Sequence, residues 1–186
     1  PVAISNGEIE PRSSLLELKT KSFNSSINDL EVLLIPDFHS WDGRYANNGW
    51  MQECPNPITK LTWDNALLIS PVLAKELEEK YPDLELLPSP TPLNKLGTVA
   101  PDTAVFAAGK QKAPVVRISL PAGKFIEGPL YVQPGLADYS VVASIGMGRS
   151  RIGRVGDDAG YDATALLGID GGRLISGAKV TCEPTG

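Results

Sequence analysis

Three short stretches of this chain carry residue types from which a ligand site could be built. They are His39 to Asn48 (HSWDGRYANN), Gly146 to Arg149 (GMGR) and the pair Tyr161-Asp162. Glycines at 146 and 148 let a ligand come close to the backbone and meet its N–H donors. Arg149, Arg151 and Arg154 add cations suited to a phosphate. Asn47 and Asn48 offer donors and acceptors to a heterocycle edge, and Trp41 or Trp50 has a flat face to cover one. Each has a plainer reading. Trp50 and Trp63 suit packing in a core or at a subunit interface, and His39 suits a hydrogen-bonded loop position. The arginines suit a solvated loop or an interdomain ion-pair set, and Asn65 a turn or cap.

The parts of a complete catalytic engine are missing. No GxGxxG follows a strand, and there is no Walker A string and no HExxH. Gly153 comes too late after Gly146 and Gly148 to finish a dinucleotide fingerprint. His39, the single histidine, has no GxSxG serine to activate. Neighbouring acids such as Asp157-Asp158 or Glu8 with Glu10 do not by adjacency create a glycosidase's opposed carboxylates. Two cysteines, Cys54 and Cys182, and one histidine fall short of the ligands for an iron–sulfur cluster or a structural zinc. A Cys54–Cys182 disulfide and two free thiols both stay open. An enzyme complete in this chain is not expected.

Composition narrows the partners. The 186 residues are 42% hydrophobic and 21% charged, with a net charge of −5. Nucleic acid and anionic membrane surfaces reward clustered Lys and Arg, so neither is the expected main partner. No apolar run approaches the ~20 residues that cross a bilayer, so direct membrane insertion is not expected. The start at Pro1 and the Gly-rich end suggest a piece of a longer protein.

The elements that must position these residues read mostly as short strands. LLELKT (15–20) and LEVLLI (30–35) have strand character, and the second, nearly all apolar, is expected to be central and to end at Pro36. ALLIS (66–70) makes a brief strand, after which Ser70 caps a helix opened by Pro71. Val72, Leu73, Leu77 and Tyr81 form its approximate apolar face. Six of the sixteen prolines fall between Pro82 and Pro114, a surface excursion with one short strand at 103–108. VVRISL (115–120), a turn at 121–123, KFIEG, PLYVQ (129–133), a Pro134-Gly135 turn and SVVASI (140–145) follow. Ten of the eighteen glycines lie from Gly146 onward, which predicts that the last forty residues are mostly loops. Short strands with Gly/Pro turns and one helix point to a closed or nearly closed β structure.

Three strings in order carry a family resemblance: DGRYANNGWMQECPNPITKLTWDNALLISP (42–71), FIEGPLYVQPGLADYSVVASIGMGR (125–149) and GYDATALL (160–167). Together they resemble the C-terminal molybdopterin-binding-like domain of the molybdopterin oxidoreductase (dimethyl sulfoxide reductase) superfamily. The nearest likeness is to the iron–sulfur/molybdopterin-like subunit of alternative complex III and to hydrogenase-like homologues. The resemblance implies a mainly β fold with a few helices, an aspartate-decarboxylase-like double-psi β-barrel, with residues 1–186 as a single barrel domain and 82–114 as its Pro-rich excursion. It also implies that His39, Trp41, Arg44, Asn47, Asn48, Gly146, Gly148, Arg149, Tyr161 and Asp162 line the pterin side. Iron–sulfur clusters and catalytic ligands would then lie in other domains of the parent. That parent would be a respiratory oxidoreductase on the periplasmic side of the cytoplasmic membrane. Its partners would be the parent's other domains and membrane quinol-handling and cytochrome subunits.

Two departures from the family pattern bear on the cofactor. Many molybdopterin-binding relatives carry Asn where Asp162 stands; an ionised Asp only accepts hydrogen bonds and brings negative charge toward an anionic cofactor. The excursion at 82–114 also replaces a tight Gly-Asp turn. A degenerate molybdopterin site kept as a scaffold for electron transfer from quinol is therefore the leading expectation. A working molybdopterin domain of a molybdenum or tungsten enzyme is the alternative, and a free-standing binding module the third reading.

Overall fold

Short apolar runs build the strands, and their inward-facing residues make one core. The computed structural model describes residues 26–84, 86, 113–120, 123–167 and 174–181. Their elements are β1 (Leu30–Pro36), α1 (Gly49–Glu53), β2 (Leu67–Ile69), α2 (Pro71–Lys80), β3 (Val115–Ser119), β4 (Phe125–Val132), β5 (Ser140–Ile145), a 3-10 turn (Thr164–Leu166) and β6 (Leu174–Thr181). Leu30, Val32 and Leu34 of β1 are buried, as are Val116 and Ile118 of β3 and Val141 and Ala143 of β5. The residues between them point outward, as alternation on a pleated strand requires.

The fold is mainly β, a curled mixed sheet with few helices. Its strands pair in the order β1-β5-β2-β4-β3-β6 and the ring closes where β6 returns to β1. Two pairs are parallel, β1 with β5 and β2 with β4. The remaining four are antiparallel. β1 has a neighbour on each side, as every strand of a closed ring does, and Pro36 is its last residue.

Helix α2 begins as its sequence predicts. Ser70 Oγ accepts the Leu73 N–H at 3.1 Å, and Pro71 occupies the first turn, where no N–H is needed. Its buried face is Leu73, Ala74 and Leu77. Val72 lies outside that face and is exposed, because Leu73 and Leu77, four residues apart, fix the stripe and leave it to one side.

Elsewhere the strands differ from expectation. KFIEG and PLYVQ form one strand, β4, that runs straight through Gly128-Pro129. Proline is tolerated there for a geometric reason. The Leu130 N–H points to Pro114 O beside β3, so the Pro129 nitrogen faces β2, whose ladder begins only at Leu130. The described part of the tail is mostly loop over 146–167, and it also holds one strand, β6 at 174–181, which pairs with both β1 and β3. One of its glycines has a place in the ladder, because Leu30 faces Ala178 while Glu31 faces Ser176, which leaves Gly177 as a bulge residue. The strands expected at 15–20 and 103–108, Cys182 and most of the Pro-rich excursion lie outside the described residues.

Candidate functional site

The loop after β1 folds around one carboxylate. Asp37 and Trp41 exchange backbone hydrogen bonds at 3.0 Å each, closing a five-residue ring of chain. Inside it, Asp37 Oδ1 accepts from His39 N, Ser40 N and Ser40 Oγ at 2.8, 2.8 and 3.2 Å. Closing so tight a ring drives Trp41 to φ +58, a conformation uncommon for a bulky side chain. His39 is thereby drawn inside and is only 3% exposed. Its Nδ1 stands 3.8 Å from Asp37 Oδ1, and its Nε2 is buried with no hydrogen-bond partner.

The second stretch, after β5, packs against the first. Gly146, at φ +110, sits so close under Trp41 O and Gly43 N that a Cβ would stand 2.5 and 2.7 Å from them. Arg149 donates from Nη2 to Asp42 O at 2.9 Å, and its guanidinium lies over Gly43, where a Cβ would overlap it. Its Nε–H is buried without a partner. Asn47 Oδ1 accepts from Val155 N and Gly156 N at 3.0 and 3.4 Å. Asn48 is the N-cap of α1, its Oδ1 accepting from Trp50 N at 3.2 Å and Met51 N at 3.4 Å.

A third contact fastens the end of this loop to the barrel. Asn65 Oδ1 accepts the Tyr161 N–H at 2.8 Å, and Asn65 Nδ2 donates to Tyr161 O at 3.1 Å and to Ser144 Oγ at 3.2 Å. The Tyr161 hydroxyl accepts from Ser144 N at 3.1 Å and donates to Ala66 O at 3.2 Å. Burial pushes the Tyr161 phenol well above its ordinary range; the Ser144 bonds oppose that, and the negative charges of Asp37 and Asp64 add to it.

The structure thus brings the 39–48 and 146–162 stretches together, with each residue in a definite place. His39 and Tyr161 are buried, Trp41 is half-exposed, and Arg44 is exposed. Arg44 makes a bidentate pair with Asp42 at 2.9 and 2.7 Å, which holds the Asp42 carboxyl down at about 2. Gly148 donates its N–H to Ala159 O at 2.6 Å. Asp162 is exposed and its Oδ1 accepts from Thr164 N at 2.7 Å. Arg149 Nη2, Asn47 Oδ1, Asn48 Oδ1 and the Tyr161 hydroxyl are all taken up by the protein's own backbone.

Sequence reasoning passed over Asp37 and gave Asn65 only a turn or cap role. The Asp-x-x-Ser spacing of Asp37 and Ser40 after a strand end is a local turn signal that could have found the first. No local signal could reveal that Asn65 meets Tyr161, 96 residues away in sequence.

Beside these loops, a groove of about 680 Å³ lies on the outer wall of the barrel. Its floor is the outward-facing row Leu33, Ile35, Leu68 and Val142 from β1, β2 and β5. Segments 56–61 and 133–136 supply its walls, and Asp37, His39 and Asp64 are also in its lining. Desolvation raises the Asp64 carboxyl above its ordinary value, against an opposing bond from Asn65 N. Among the described residues, no group of three or more His, Cys, Asp or Glu could hold a metal ion. No family model matches the chain, and no curated protein matches it.

Proposed function

We propose that this chain is a C-terminal barrel of the molybdopterin-oxidoreductase type, with double-psi topology, whose pterin loops have closed on one another. It serves as a structural domain within a larger respiratory oxidoreductase, holding neighbours in place while clusters elsewhere carry electrons from quinol. Two parallel pairs within a six-stranded ring support the double-psi assignment. The three ordered sequence strings support the family and, through it, the periplasmic, membrane-associated setting.

One observation carries the scaffold reading over a working cofactor site: the position of Arg149. A phosphate clamp must aim its guanidinium at the ligand, whereas this one bonds Asp42 O and covers Gly43. Exposed aromatic surface gives the scaffold something to hold with. Trp50 is 85% exposed, and Trp63 and Val155 flank Gly49 close by, a patch suited to a neighbouring domain.

Pterin fluorescence after oxidative release, and molybdenum and tungsten by mass spectrometry, test this on the full-length parent. The expected result is no stoichiometric pterin or metal. One pterin per chain, lost in Arg149→Ala, would establish the cofactor-binding alternative instead.

A further inference from the structure

The geometry points to a second site, independent of the scaffold reading: the outer-wall groove binds a small organic cation, a protonated amine on an apolar body. Its volume of about 680 Å³ lies in the range of small-molecule pockets, and its floor is the apolar row Leu33, Ile35, Leu68 and Val142. The charged residues of the lining decide the sign of the ligand. Asp37 and Asp64 are the charged residues among those that line the groove, and neither Lys nor Arg is in that lining.

Hydrogen-bond capacity points the same way. Two side-chain amides in the lining are already engaged as donors: Asn65 Nδ2 with Tyr161 O and Ser144 Oγ, and Gln133 Nε2 with Pro134 O. Acceptors are left over. Asp37 Oδ1 takes three bonds and Asp64 Oδ1 one, while the second oxygen of each takes none of these. His39 adds a separate observation, since its side chain is 4% exposed and its Nε2 has no partner. An apolar groove lined by two carboxylates with unused oxygens and by no cation calls for a positively charged donor, which is an ammonium.

The test titrates the 186-residue chain with three probes of one shape: 4-phenylbutylammonium, 4-phenylbutan-1-ol and 4-phenylbutanoate. Methyl resonances of Leu33, Leu68 and Val142 report binding. The ammonium probe is expected to bind at least about tenfold more tightly than the alcohol, and the carboxylate not to bind. Asp64→Asn should weaken the ammonium about fivefold or more and leave the alcohol unchanged. Leu33→Lys, at an already exposed position, should abolish ammonium binding by supplying a cation from the protein itself. Equal affinity for the three probes, preference for the carboxylate, or no methyl shifts with the ammonium at millimolar concentration would each overturn the proposal.

Discussion

Asn65 grips both backbone polar groups of Tyr161, its Oδ1 on the N–H at 2.8 Å and its Nδ2 on the carbonyl at 3.1 Å. One side-chain amide thus does for Tyr161 what a paired strand would do, at a place where no strand runs. Both residues are buried, so water cannot replace what a truncation removes. Asn65→Ala is expected to cost about 3 kcal/mol, the sum of two or more unsatisfied buried groups. For a chain of this length that lowers Tm by on the order of 10 °C, read by calorimetry.

The Tyr161 phenol supplies a pH dependence of known sign. Burial raises its pKa in the folded state above the ordinary value of about 10. Below pH 10 both folded and unfolded chains keep the proton, and the full contribution is present. Above it the unfolded chain releases the proton first, so stability falls as pH rises. Denaturant unfolding at pH 8 to 11 should show that decline, and Tyr161→Phe should flatten it. Absorbance at 295 nm should show Tyr161 resisting ionisation until the chain unfolds, with Tyr139, raised by its hydrogen bond to Glu76, also titrating late.

Gly43 and Arg149 form a coupled pair. Gly43→Ala places a methyl on the guanidinium and puts a side chain at φ +101, for an expected loss of about 2 kcal/mol. Arg149→Ala relieves the overlap but leaves the backbone strain. The double mutant should therefore be more stable than the sum of the single losses predicts, by roughly 1 kcal/mol in a cycle of unfolding measurements.

The neighbouring Asp42–Arg44 pair should behave in the opposite way. It has good bidentate geometry yet both side chains are well exposed, and solvent screens it. Arg44→Ala is expected to leave Tm nearly unchanged at neutral pH. A large drop on that substitution would show that the loop is held by its surface and not by Gly43 and Arg149.

Ser70→Ala removes the cap of α2 and strands the Leu73 N–H in a buried setting. A loss of about 1 to 2 kcal/mol is expected, with Ser70→Asp retaining most of the stability, both read from denaturant midpoints.

Legibility in the sequence followed the range of the interaction. The β1 run, the Ser70-Pro71 helix start and the β3 and β5 strands all rest on local patterning, and they stand where that patterning puts them. Strand β6 was hidden in a glycine-rich stretch because its reasons are non-local: two waiting neighbours, β1 and β3, and a bulge at Gly177. Likewise Pro129 looked like a break, and only the ladder direction on either side shows why β4 continues. At the site, proximity of the 39–48 and 146–162 stretches was expected from the resemblance, but the orientation of Arg149 toward Asp42 was not. A guanidinium serves a phosphate or a carbonyl equally well, and residue type alone does not say which.

Strand β2 is three residues long, and it meets β5 at one aligned pair, Leu68 with Val142, while it meets β4 at three. The wall of the barrel therefore has a seam, and a seam is where such a ring would first gape when it breathes. Those same two side chains lie in the groove floor. Any molecule seated there would act as a rivet across the joint, so that filling the outside of the wall stiffens the whole hoop.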